Sequence, residues 1–131
     1  MPANFLTKRK QKDFLKNVQY KDVPYFNLIG YNTWAKCVKV VDGDTAIFVF
    51  YYHKVPYRFR VGLAKINCAE MKSEDPAELS VAILAKDYLT SLIGDELIYI
   101  ECLNYEPAYG RLMANLYSNK KMEKSFSDAL L

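Results

Sequence analysis

Residues 34–64 read WAKCVKVVDGDTAIFVFYYHKVPYRFRVGLA, and this stretch decides the fold. WAKCVKVV sets Ala35, Cys37 and Val40–Val41 against Lys36 and Lys39, the two-residue period of a strand with one covered face. Asp42-Gly43 is a tight-hairpin signal, because glycine enters positive φ without a Cβ penalty. TAIFVFYY is β-branched and aromatic, the composition that suits a pleated, half-buried surface. HKVP makes a second turn. YRFRVGLA then puts Arg58 and Arg60 on one face and Tyr57, Phe59 and Val61 on the other. Three consecutive strands are predicted.

The same patterns extend outward. Asp75 is an N-cap residue, Pro76 fits the first helical position and Glu78 completes a capping-box-like pattern. Val81, Leu84, Ala85, Tyr88 and Leu92 recur at helical spacing and mark the packing face; Gly94 ends the helix. ELIYIECL (96–103) and GRLMANLY (110–117) read as two more strands around a loop, NYEPAY. KKMEKSFSDALL is predicted as a short amphipathic helix with Met122, Phe126, Ala129 and Leu130 on one stripe. Three strands, a helix, two strands and a helix favour a small closed barrel, since closure hides the strand edges. The expected class is α+β, a β-barrel with helices of the five-stranded OB-fold kind.

Residues 1–33 read as an arm and 34–131 as the barrel domain. KRKQKDFLKNV predicts a short helix with Phe14, Leu15 and Val18 on one side. KDVPYFNLIGYNT, broken by Pro24 and Gly30, predicts an extended aromatic segment lying on the body. Residues 1–30 carry six Lys/Arg against two Asp, whereas the rest of the chain carries 12 basic and 13 acidic groups. Such an arm contacts phosphates or an acidic protein surface, or is a solvated leader.

A length of 131 residues suits one domain, and 51% hydrophobic with 25% charged residues is globular composition. The apolar runs are too short to span a bilayer, and MPANFLTKRKQKDF shows no secretory h-region, so no membrane association is expected. Three cysteines (Cys37, Cys68, Cys102) without metal spacing read as free thiols in a reducing compartment, and a single histidine, His53, rules out a His-rich metal site.

Three motifs remain: VDGDT (41–45), INCAE (66–70) and YGR (109–111), the last followed by LMANLY. Their order, spacing and flanking elements resemble the staphylococcal-nuclease (thermonuclease-like) family over residues 34–131. CAEMK is similar to PEMK-type variants in large DNA viruses. With no signal peptide visible and free cysteines, an intracellular or virion location is expected. The resemblance implies calcium-dependent hydrolysis of phosphodiester bonds in DNA or RNA. On that mapping Asp44, Asn67 and the carbonyl of Cys68 bind the metal. Glu70 is the general base, Arg111 a catalytic arginine and Tyr109 a phosphate contact. The match is partial. Asn67 stands where the family has an aspartate, Gly62 where it has the first catalytic arginine, Ala69 where it has a proline and Ala108 where it has a lysine. Arg60, two positions before Gly62 on the same strand face, is either a stand-in for that arginine or part of an ordinary polar face.

Two functions follow. One is a metal-dependent nuclease, weakened or lost. The other is a non-catalytic nucleic-acid- or protein-binding module, such as a virion or complex component. In a purely structural reading, Asp42-Gly43-Asp44 is a hairpin turn, and Arg111 pairs with Glu70 or Asp44. Relative to the family the barrel is expected to be short at its C-terminal end, leaving apolar surface for the arm or a partner to cover.

Overall fold

The computed structural model describes residues 6–64, 75–106 and 110–130. Five strands, β1 (Asn32–Asp42), β2 (Thr45–Tyr52), β3 (Val55–Leu63), β4 (Ile98–Glu106) and β5 (Arg111–Tyr117), form a closed barrel in the order β1-β2-β3-β5-β4. Helix α2 (Pro76–Ile93) links β3 to β4 in the chain, α1 (Lys8–Asn17) precedes the barrel and α3 (Phe126–Leu130) follows it. This is the OB-like α+β barrel that the strand pattern predicts. All neighbours are antiparallel except β3 and β5, which pair in parallel over Val61–Leu63 and Leu112–Ala114. That short parallel seam closes the barrel.

The core is the inward set of the alternating strands: Ala46, Phe48 and Phe50 from β2, Val61 and Leu63 from β3, Ile98, Ile100 and Cys102 from β4, Leu112, Ala114 and Leu116 from β5. Phe50 stacks flat on Phe59, with centroids 4.0 Å apart. β1 departs from strict alternation because its register slips between Cys37 and Lys39 and again between Val40 and Asp42. Such bulges bend a strand and increase its twist, which a small barrel needs.

The hairpin predicted at Asp42-Gly43 forms the β1–β2 turn, with Asp42 paired to Thr45. The second turn holds a left-handed pair, at His53 (φ 49°) and Lys54 (φ 69°), as a two-residue hairpin between Tyr52 and Val55 requires. Other expectations are corrected. Helix α2 is capped as predicted, Asp75 accepting from the Ala77 amide and Gly94 closing the end. It is rotated, however: Ala82, Leu89 and Ile93 are buried, while Val81, Leu84 and Tyr88 are 50–69% exposed. Residues 81–85 (VAILA) are all apolar, so periodicity alone cannot choose the face. Small Ala82, with no exposed surface, lies on the inward one. The last helix is shorter than predicted. Residues 120–125 are not helical, with Met122 at φ 51°, and α3 begins after a reciprocal cap in which the Ser125 amide donates to Asp128 and the Asp128 amide to Ser125 Oγ. β4 runs on to Glu106, three residues into the predicted loop.

The segment before β1 is seated on the barrel. Leu28 is buried in the core, the Tyr31 hydroxyl donates to the Tyr51 carbonyl at 2.6 Å, and Phe26 meets Tyr52 edge-on. The Gly30 amide donates to the Cys102 carbonyl and the Cys102 amide to the Tyr31 carbonyl, prolonging the β1–β4 ladder. Helix α1, capped by Thr7, buries no residue and leaves Phe14 and Leu15 exposed.

Candidate functional site

Two distant stretches of sequence meet beside the parallel seam. Gly43 and Asp44 form the two-residue turn between β1 and β2, with Asp42 facing Thr45. The Leu63 amide donates to the Asp44 carbonyl at 2.8 Å and the Ala64 amide to the Ala114 carbonyl at 3.0 Å. The end of β3 is thus tied to the turn on one side and to β5 on the other. Gly62 faces Thr45 across β2 and Met113 across β5, which places Arg111 at the start of β5 beside the turn.

Arg111 is the centre of the cluster. Its Nε donates to Glu106 Oε1 at 2.7 Å and its Nη1 to Thr45 Oγ1 at 2.6 Å. Nη1 also lies 3.6 Å from Asp44 Oδ1. The Thr45 hydroxyl donates onward to Asp44 Oδ1 at 3.0 Å. The hydroxyl therefore accepts from the guanidinium and donates to the carboxylate. Asp44 and Thr45 are buried, at 6% and 2% exposed, so these charge-assisted bonds act away from bulk water. Arg111 lies over Gly62: a Cβ there would stand 2.7 Å from Nε and 2.8 Å from Cδ. A side chain at 62 and this arginine conformation exclude each other.

Of the sequence-predicted residues, the fold brings together Asp44, Thr45, Gly62 and Arg111. Arg60 is exposed, opposite Ile47, and lines a groove with Arg58 on the open side of β3. Glu70, Asn67, Cys68 and Tyr109 lie outside the described residues. Glu106 is not among the sequence-predicted site residues, because it falls in NYEPAY, the stretch predicted as a loop. Extending the β4 strand to residue 106 would have placed this acid opposite Arg111, its register partner.

The candidate calcium donors are a carboxylate, an amide and a main-chain carbonyl, all hard oxygens of the kind calcium takes. Their chemistry fits the ion, but with a single negative charge. That charge, on Asp44, already has a guanidinium nitrogen beside it. Among the described residues no group of three or more His, Cys, Asp or Glu could hold a metal ion. Among those residues, too, no helix is long and apolar enough to cross a membrane.

No known family model matches the chain, and no curated protein matches it.

Proposed function

We propose that this OB-like barrel is a nucleic-acid-binding protein of the staphylococcal-nuclease type, with phosphodiester hydrolysis much weakened by substitution. The observation that carries the reading is the convergence of Asp44 from VDGDT and Arg111 from YGR on one buried cluster beside Gly62. Residues 67 apart in sequence form a charged cluster where a barrel needs none for its core.

In this reading Glu70 takes the proton of the attacking water, while Arg111 and Tyr109 bind the phosphate. Asp44, Asn67 and the Cys68 carbonyl would hold calcium, which when bound supplies positive charge to the phosphate. Asn67 contributes no negative charge, so the ion is held weakly. Gly62 contributes no guanidinium, and one such electrostatic donor is worth about 10²- to 10³-fold in rate. The test is cleavage of labelled single-stranded DNA and RNA with and without calcium, beside Glu70→Ala. Slow calcium-dependent cleavage abolished by the variant supports hydrolysis. Cleavage equal in both proteins, or none from a folded protein, removes it.

The second reading, a binding module without catalysis, draws on one specific contact. Arg111 is only 13% exposed, and Glu106, Thr45 and Asp44 all engage its guanidinium. An arginine held this way stabilises the seam and must exchange partners before it can meet a phosphate.

A further inference from the structure

β3 pairs with β5 only over Val61–Leu63, so the half of β3 that precedes this seam has an open side. The segment before β1 closes part of the gap with Leu28 and leaves a groove of about 430 Å³. One wall is β3, with Arg58, Phe59 and Arg60; another is the β4–β5 hairpin, with Tyr105; the third is Phe26 with its neighbours. Phe26 and Tyr105 are 74% and 55% exposed. No acidic residue among the described ones lines the groove, and no carboxylate among them pairs with Arg58 or Arg60.

Two guanidinium forks with no carboxylate partner among the described residues, beside exposed aromatic rings, are complementary to a particular ligand chemistry. A guanidinium presents parallel donors that match phosphate oxygens, and an aromatic face accepts a nucleobase whatever its identity. Arg58, Arg60 and Gly62 alternate along one face of β3, about 6.6 Å apart at the usual strand rise. Arg111 covers the third of these positions. The three arginines therefore form a line on a sheet face, and that line runs from the groove to the Arg111 cluster. A groove of this size admits one base splayed out of its stack, which a single strand can offer and a duplex cannot without unpairing.

We infer that the groove between β3, the β4–β5 hairpin and the segment before β1 is a subsite for one unstacked nucleotide of a single-stranded nucleic acid. Arg58 and Arg60 bind its phosphates, and Tyr105 and Phe26 flank its base. The subsite rests on the proposed nucleic-acid-binding function. It adds a component, the segment before β1, that the three motifs do not contain.

The experiment is fluorescence anisotropy of a labelled deoxythymidine hexamer on the full chain carrying Glu70→Ala, so that the probe is not cut. Arg58→Gln with Arg60→Gln should weaken binding and lower the slope of log K against log salt by about 1.4, two single-strand phosphate contacts' worth. Tyr105→Leu should weaken binding roughly tenfold or more while leaving the salt slope unchanged. Hexamer binding that survives both changes in folded protein overturns the subsite and leaves the barrel's function standing. No hexamer binding by the parent protein overturns both, whereas failure of the cleavage assay alone touches only hydrolysis. A poly-glutamate peptide that displaces the hexamer from the parent as well as unlabelled hexamer does would also overturn the proposal, since a site for an acidic peptide needs no base.

Discussion

The guanidinium of Arg111 occupies the space that any side chain at Gly62 would need. A Cβ at 62 would come within 2.7 Å of Nε and 3.0 Å of Cζ. Gly62→Ala should therefore cost about 1–3 kcal/mol, as overpacking typically does. In an Arg111→Ala background the same change should be neutral or slightly stabilising, because glycine is a poor strand residue. Urea denaturation of the four proteins gives the coupling energy. A value near zero would mean that the arginine does not lie over the glycine.

The same packing bears on restoring catalysis. Gly62→Arg alone should not raise cleavage and should destabilise the protein, since the new side chain displaces Arg111 from Glu106 and Thr45. Asn67→Asp adds a second carboxylate to the proposed calcium set and should tighten calcium binding, on the order of tenfold. Isothermal calorimetry with calcium checks the second effect and thermal melts the first.

Helix α2 offers a test of its rotation. Leu84→Gln should change stability by no more than about 0.5 kcal/mol, because Leu84 is 69% exposed. Leu89→Ala, at a fully buried position, should cost about 2–5 kcal/mol. The reverse ranking would restore the face expected from periodicity.

Leu28 tests whether the segment before β1 is part of the folded unit. It is buried among core side chains, so Leu28→Ala should cost about 2–5 kcal/mol in a single cooperative transition. It should also disturb the groove, which the hexamer assay would register. A loss below about 0.5 kcal/mol would mean that the segment does not pack there.

Alkaline pH should destabilise the protein. Burial pushes the Cys102 thiol up to about 12, and burial together with Glu101 raises the Tyr117 phenol. Both groups hold their protons more tightly folded than unfolded. Their stabilising contribution is complete below the ordinary thiol value of ~8.5 and declines as pH rises towards the folded values. Melting temperature should fall steadily above about pH 9, less steeply in Cys102→Ala. Native Cys102 should also resist iodoacetamide, which attacks the thiolate.

How much of this was legible differs by element. The strand meander from 34 to 64 was readable because alternation and turn residues are local signals. Asp75, Pro76 and Gly94 announced the ends of α2 for the same reason. Which face of α2 is buried was not readable, since Val81, Ala82, Ile83, Leu84 and Ala85 are all apolar and either stripe could have packed. In the candidate site, Asp44 and Arg111 were legible as motif residues, but Glu106 was not. Its importance arises only from the register between β4 and β5.

The sequence by itself determined the barrel's strands, the helix caps and the turns, because these depend on propensities and steric limits within a few residues. Only the tertiary structure decided that Arg111 meets Asp44 and Thr45 across 67 and 66 residues, that Gly62 leaves the space Arg111 fills, and that the segment before β1 becomes the wall of a groove. Those relationships are set by how the barrel closes at the short β3–β5 seam. Closure brings distant residues within hydrogen-bonding range, and no local pattern encodes that proximity.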